Sequence, residues 1–176
     1  IDHALGVAQA AGAGRVVVNT HYKADQLAAH LAGRDVRISH EADMILETGG
    51  GLRKALPLLG PGPVAILNSD GIWTGENPLA ELAGVWDGSR MDALLLLLPV
   101  GAARGPGAKG DFRLDPQGRI SRGQGGEDHL YIGASLLNPD CLGGTDGEAF
   151  SLNRPWNGII AAGRGFGVLH RGGWCD

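Results

Sequence analysis

Few side chains in this 176-residue sequence are placed to do chemistry, and Asp70 leads them. It closes the run Val64-Ala65-Ile66-Leu67-Asn68-Ser69-Asp70, where a strand-like apolar stretch gives way to three polar residues. Open α/β sheets bind ligands in the crevice beyond the carboxyl ends of their strands, so a carboxylate there can hold a hard divalent cation. Mg²⁺ asks for only one or two protein carboxylates, since phosphates and water complete its octahedron. Followed by Gly71, Asp70 reads equally well as a turn residue, and Asn68 and Ser69 can bond the loop backbone instead of a ligand. Both readings stay open on this segment alone.

Glu47-Thr48-Gly49-Gly50-Gly51 is the second candidate. Ahead of a helix, its amides could face an anion or a base edge with no Cβ in the way; a bare glycine triplet is as readily a flexible linker. It is neither a P-loop, for no Gly-Lys-Ser/Thr follows, nor a dinucleotide fingerprint. His21 follows a strand end and can touch a ligand or, more simply, bond a neighbouring loop. The other five histidines show no metal-ligand spacing, and no Ser-His-Asp, Cys-His or Gly-x-Ser-x-Gly arrangement appears. Trp73, Trp86 and Trp156 read as core or rim packing.

The elements that must position these residues alternate. A helix is expected from about Asp2 to Ala11, a strand from Arg15 to Asn19, a helix from Lys23 to Leu31 and a strand from Val36 to Ser39. A helix from about Leu52 to Leu56 stops at Pro57. Val64 to Leu67 and Met91 to Leu98 are continuous apolar runs of buried-strand type, separated by a helix from Pro78 to Trp86. Beyond Gly110 the texture changes. Asp115-Pro116-Gln117-Gly118 turns a hairpin between Phe112 and Ser121; a strand from His129 to Leu137, a helix from Phe150 to Ala162 and a strand from Phe166 to His170 follow. The class is α/β: a Rossmann-like, mostly parallel sheet with helices on both faces and a small antiparallel insertion.

The bulk composition narrows the function. Net charge is −4 with dispersed basic residues, which argues against nucleic acid as a partner. No apolar run approaches the ~20 residues of a membrane helix. The two cysteines, Cys141 and Cys175, form no scaffold or zinc spacing, and a reducing, cytoplasmic setting is expected. Glycine, at 31 residues, is more than double the usual ~7%, and much of it lies in loops where backbone must approach ligands.

Taken in order, Val16-Val17-Val18-Asn19-Thr20-His21-Tyr22, Leu46-Glu47-Thr48-Gly49-Gly50-Gly51-Leu52, Leu67-Asn68-Ser69-Asp70-Gly71-Ile72-Trp73 and Gly110-Asp111-Phe112 resemble the sugar-1-phosphate nucleotidylyltransferases. Among these they look most like the N-acetylmuramate α-1-phosphate uridylyltransferases of bacterial cell-wall recycling. The resemblance implies the nucleotide-diphospho-sugar transferase type of fold. It implies Asp70 and Asp176, the latter in Trp174-Cys175-Asp176, as the carboxylates of a catalytic Mg²⁺. Nucleotide contacts are implied for Glu47, Thr48, Gly49, Gly50, Asn68 and Ser69, and sugar contacts for Gly110, Asp111, Ile132, Gly133 and Asn153. The implied reaction joins UTP, or another NTP, to a sugar-1-phosphate such as N-acetylmuramate 1-phosphate, giving a UDP-sugar and pyrophosphate.

The family's Gly-rich turn with an Arg and a following Lys, which grips the triphosphate, has no counterpart in the sequence. The expectation is therefore one nucleotidyltransferase domain over residues 1–176, lacking that amino-terminal loop and the carboxyl-terminal end. Two other classes share part of the pattern. An NDP-sugar-dependent glycosyltransferase normally offers Asp-x-Asp, whereas Asn68 stands two before Asp70. A non-catalytic nucleotide- or sugar-sensing subunit would keep the fold and lose the phosphate grip.

Overall fold

β5 (Ala93–Pro99) runs through the middle of the molecule, and its alternating side chains divide the core in two. Ala93 to Leu98 are at most 2% exposed, as a strand covered on both faces requires. Successive residues point to opposite faces. Ala93, Leu95 and Leu97 therefore pack with Phe112, Trp156 and Ile159, while Leu94, Leu96 and Leu98 pack with Trp73, Leu79 and Leu82. Each fully buried leucine contributes about 1.5–3 kcal/mol. The structure, a computed structural model, describes residues 1–103, 110–123 and 128–175.

Before β5 the chain forms α1 (Asp2–Ala10), β1 (Val17–Thr20), α2 (Ala24–Leu31), β2 (Arg37–His40), α3 (Glu47–Leu59), β3 (Val64–Leu67), β4 (Ile72–Thr74) and α4 (Pro78–Val85). After it come β6 (Phe112–Leu114), β7 (Ile120–Arg122), β8 (His129–Leu137), α5 (Asn153–Ala161), β9 (Gly165–Leu169) and β10 (Gly173–Cys175). β1 and β2 pair in parallel. β9 runs parallel to β5, and β3 and β5 both run against β8, so β3, β5 and β9 share one direction. β8 is the long antiparallel member between β3 and β5, and it also receives the β6–β7 hairpin at His129. The expected α/β sheet with its antiparallel insertion is thus present. In the hairpin turn, Asp115 Oδ1 accepts from the Gln117 and Arg119 amides at 2.9 and 2.7 Å.

Two expectations need correction. α3 begins at Glu47, so the glycine run lies inside the helix rather than ahead of it. Pro57 does not stop it; the helix continues to Leu59 and ends at Gly60, where φ is +97°. Three glycines weaken a helix by roughly 1 kcal/mol each, but here the bare backbone lets neighbouring segments pack directly on it. The second is an element the sequence reading lacked: β4 and β10 form an antiparallel ribbon, with Trp174 opposite Trp73 and Cys175 opposite Ile72.

β8 carries a bulge. Leu95 pairs with Ser135 and Leu97 with Tyr131, so Leu96 faces three residues, Ile132 to Ala134. Gly133 sits in the bulge at φ +76°, and a Cβ on it would lie 2.9 Å from the Asn68 Cβ. Bulges of this kind re-aim the backbone. Here the Ile132 carbonyl accepts from Trp73 Nε1 at 2.9 Å, and the Gly133 carbonyl from the Asn68 amide at 2.8 Å.

Two stability predictions follow from these contacts. Gly133→Ala must place a side chain in left-handed backbone against Asn68, and is expected to cost about 1–3 kcal/mol, read as a lower urea midpoint at unchanged slope. At the start of β5, the Arg164 guanidinium bonded to Asp92 at 2.5 Å holds that carboxyl below its ordinary 3.8. The stability this supplies is present above the ordinary value and lost as pH falls through the lowered one. The destabilisation of Arg164→Gln, measured by urea titration at several pH values, should be full at pH 7 and shrink on acidification below about 4.

Candidate functional site

β3 delivers Asn68, Ser69 and Asp70 at its carboxyl end, and the polypeptide on either side of Asp70 is pinned. Asn68 is held by Gly133 and Trp73 by Ile132, as described above; the Trp73 amide also donates to His3 Nε2 at 3.3 Å, with the His3 ring stacked near the indole. Between them, Gly71 lies against both tryptophans: a Cβ there would be 3.0 Å from Trp174 Nε1 and 3.0 Å from the Trp73 ring. Asp70 itself is exposed. The ribbon register brings Cys175 opposite Ile72, two residues from Asp70. Asp176, the expected second carboxylate, lies outside the described residues. Among the described residues no three His, Cys, Asp or Glu side chains group as a ready-made metal set.

A cleft of about 990 Å³ opens between β1 and β3. Its walls are apolar, from residues such as Val18, Leu52, Val64 and Leu79, and it also carries polar groups: Asn68, Ser69, Glu47, Thr48, Asn19 and Glu41. Four of the residues expected at the nucleotide thus line one space. Glu41 is buried, and its carboxylate accepts from the Leu46 amide at 2.8 Å and from Asn19 Nδ2 at 3.0 Å. Asn19 Nδ2 also reaches the Gly51 carbonyl at 3.0 Å, so β1, β2 and α3 are tied together at the cleft. His21 Nδ1 donates to the Glu41 carbonyl at 2.6 Å, the expected loop bond, and the residue also lines the cleft.

Gly49 and Gly50 face the other way. Both amides donate to the Phe150 carbonyl, at 2.8 and 3.1 Å. Thr48 Oγ1 accepts from the Leu152 amide at 3.0 Å. A carbonyl therefore caps the first turn of α3, which leaves these two amides no role at an anion and replaces both the linker and the ligand-loop readings. The strained residue of this turn is Glu47, at φ +58°.

The expected sugar contacts divide similarly. Asp111 Oδ2 accepts from the Tyr131 amide at 3.0 Å, while the Asp111 amide donates to His129. Gly110 passes so close to Asp128 that a Cβ would be 2.2 Å from the Asp128 Cβ. Asn153 opens α5 in an exposed position; its Nδ2 donates to Ser151 Oγ and its carbonyl accepts from Arg122 Nη2 at 3.1 Å. Ile132 is the exception: it is fully buried and its carbonyl is engaged by Trp73, which makes it a core residue and corrects its assignment to the sugar pocket. Gly110, Asp111 and Asn153 do not line the cleft between β1 and β3.

Sequence reasoning also missed residues here. Arg122 links the hairpin to α5 through Asn157 Oδ1 at 2.8 Å and Asn153, over the Phe112 ring; burial lowers its pKa and the Asp111 carboxylate partly offsets this. Burial likewise pushes the Tyr131 hydroxyl up to about 12, against a bond to Ser135 that pulls the other way.

The chain is 38% identical to the N-acetylmuramate alpha-1-phosphate uridylyltransferase of Caulobacter vibrioides, over 99% of this chain and 76% of that protein. It is 32% identical to the bifunctional protein GlmU of Chromohalobacter salexigens over 69% of this chain, which spans 26% of that longer protein. Among solved structures, HddC from Yersinia pseudotuberculosis complexed with GMP-PN matches with a TM-score of 0.76 at 16% identity, covering 98% of this chain and 76% of that one. A putative glucose-1-phosphate thymidylyltransferase from Bacillus anthracis matches with a TM-score of 0.78 at 13% identity, covering 100% and 76%. These two likenesses establish the fold. No family model matches the chain.

The glycine turn yields a direct test. A methyl on Gly49 would lie 2.4 Å from the Phe150 ring, and one on Gly50 2.3 Å from the Glu148 carbonyl, whereas one on Gly6 in α1 meets nothing within 4 Å. Gly49→Ala and Gly50→Ala are each expected to destabilise by about 1–3 kcal/mol in chemical denaturation. Gly6→Ala should leave stability unchanged or raise it. Harmless substitution at Gly49 and Gly50 would restore the linker reading.

Proposed function

The chain belongs to the N-acetylmuramate α-1-phosphate uridylyltransferases, within the sugar-1-phosphate nucleotidylyltransferases, and on that premise we propose that it transfers the uridylyl group of UTP to N-acetylmuramate 1-phosphate with Mg²⁺ at Asp70. The observation that carries the assignment of the site is the ribbon. β10 returns antiparallel to β4, with Cys175 opposite Ile72, alongside the loop that presents Asp70. Asp176, next in sequence, is proposed as the second carboxylate. Two carboxylates suit Mg²⁺, which keeps water and phosphate oxygens as its remaining ligands.

In this reading Glu47, Thr48, Asn68 and Ser69 face the nucleotide from the cleft, and Gly110, Asp111, Gly133 and Asn153 serve the sugar side. A phosphate oxygen of the sugar-1-phosphate attacks the α-phosphorus of UTP in line. The bond to the β-phosphate oxygen breaks, and pyrophosphate departs with its electron pair. The phosphate monoester is already ionised near neutral pH, so no general base is needed. What the protein contributes is alignment of the two phosphates. The divalent cation, when bound, supplies charge neutralisation at the phosphates. Asp70 is held from both sides by Asn68 and Trp73, so its carboxylate is presented with little reorganisation. No helix among the described residues is long and apolar enough to cross a membrane; the proposed setting is the cytoplasm, where UTP is available, in recycling of cell-wall sugars.

The full-length protein with Mg²⁺, UTP and a panel of sugar-1-phosphates is expected to release pyrophosphate, fastest with N-acetylmuramate 1-phosphate. Asp70→Asn should lower turnover by roughly 100-fold or more, the loss of several kcal/mol of charge stabilisation. Near-normal turnover by Asp70→Asn would remove Asp70 from the cation site. A faster reaction with another sugar phosphate would reassign the acceptor.

A further inference from the structure

The cleft between β1 and β3 is walled as the interior of a sheet is walled. Neither strand has a partner on that side among the described residues: β1 pairs with β2 alone and β3 with β8 alone. The Arg37 and Glu41 amides donate to the Val16 and Thr20 carbonyls, so by alternation the backbone groups of Val17 and Asn19 face the cleft. The Asn68 amide donates to the Gly133 carbonyl, which by the same rule turns Ala65 and Leu67 to the cleft. The two edges run in one direction. β1 lies against α3 with Asn19 at Gly51 and Arg15 at Leu59, and β3 starts just beyond Leu59 and packs back along the helix, Val64 and Ile66 with Leu52 and Leu56.

Helices cover both faces of the space. α1 turns Ile1, Ala4, Leu5 and Ala8 to it, and α3 turns Thr48, Leu52, Ala55 and Leu59, each set at helical spacing. The two helices belong to opposite halves of the core, Ala8 with Leu94 and Leu96, Leu52 with Leu95 and Leu97. Open strand edges are normally blunted by charge or proline. β2, whose outer side is unpaired, carries Arg37 and His40, whereas β1 and β3 hold no charged residue and no proline. Theirs is the composition of inner strands, yet Asn19 and Ala65 are exposed.

We propose that this cleft seats a β-strand, parallel to β1 and β3 and supplied by polypeptide preceding Ile1 in the full-length protein. The match takes in 76% of the Caulobacter relative, which leaves length for such a segment. Strand, α1 and β1 then form a right-handed parallel crossover, the usual connection in such sheets. α1 starts at the end this requires, for His3 stands against Trp73, beyond the carboxyl end of β3. The strand fills the apolar length of the cleft and emerges by Asn19, Thr20, Asn68 and Ser69. Thr20 Oγ1 is buried there with no hydrogen-bond partner among the described residues. The turn into α1 roofs that polar end, and the nucleotide is confined to it. The strand seat stands apart from the uridylyl-transfer reading, because its test needs no turnover.

Hydrogen exchange of the full-length protein, resolved to single amides by NMR, is the test. The Val17, Asn19, Ala65 and Leu67 amides should exchange more than about 100-fold slower than unprotected amides, without nucleotide and at every protein concentration. Two proline substitutions give a second readout by urea titration. Ala65→Pro removes an amide that faces the cleft, and Ile38→Pro one on the outer side of β2, where a proline is tolerated. Ala65→Pro should lower the urea midpoint several-fold more than Ile38→Pro. Unprotected exchange at the four amides of the wild type overturns the proposal, as do equal midpoint shifts in the two proline variants. Protection that appears only when UTP is added makes the whole cleft a ligand pocket and overturns it. Protection that grows with protein concentration assigns the strand to a second copy and overturns it likewise.

Discussion

The bulge in β8 is the constraint on which the candidate site depends. The extra residues opposite Leu96, with Gly133 in left-handed backbone, leave the Ile132 carbonyl to the Trp73 indole, while the Gly133 carbonyl continues the β3–β8 register one step further to the Asn68 amide. Asp70 lies between those two anchors, so a loop that would otherwise be free at the end of β3 is held at both roots. The cost is local: a glycine loses more chain entropy on folding than any other residue. In return a deeply packed strand pair, β5 with β8, holds the roots of the loop that carries the exposed Asp70.

The cleft shows a second compromise. α3 starts with a strained glutamate and three glycines, a poor opening for a helix on propensity alone. Tertiary contacts override this. The Phe150 carbonyl takes two amides that a helix terminus leaves orphaned, Arg53 of the same helix spans to the Thr145 carbonyl and lies over the Phe150 ring, and Gly51 admits the Glu41–Asn19 contact, where a Cβ would be 2.7 Å from Glu41 Oε1. The glycines serve close packing between segments, and of this turn's first residues it is Glu47 and Thr48 that line the cleft.

Much of the fold was legible because period and turn chemistry agree along the chain. The strand over His129–Leu137 appears with the bounds its apolar run indicates, and the hairpin turns where Asp115 and Gly118 demand it. Asp70 was legible as the end of a strand, but not of a buried one: of β3 only Val64 is buried, and among the described residues the strand pairs with β8 alone. The ribbon was not legible: its strands are three residues each and one begins with glycine, too short for a periodicity to register. α3 was misjudged because its glycines and Pro57 are local signals against a helix that packing outweighs. Ile132 was placed at the sugar by the resemblance alone, whereas the folded chain buries its side chain and gives its carbonyl to Trp73. The hydrogen bond between Glu81 and His170 joins residues 89 positions apart, and only the folded chain makes them neighbours.

The contact of Gly71 with two indoles gives the site its own optical signature. Trp73 and Trp174 are two of the four tryptophans, and both stand against the residue that follows Asp70, whereas Trp86 caps α4 and Trp156 packs beneath Phe112 and Tyr131. Two of the four indoles thus adjoin the residue that follows Asp70, which gives that loop neighbours whose fluorescence depends on their surroundings, without any label.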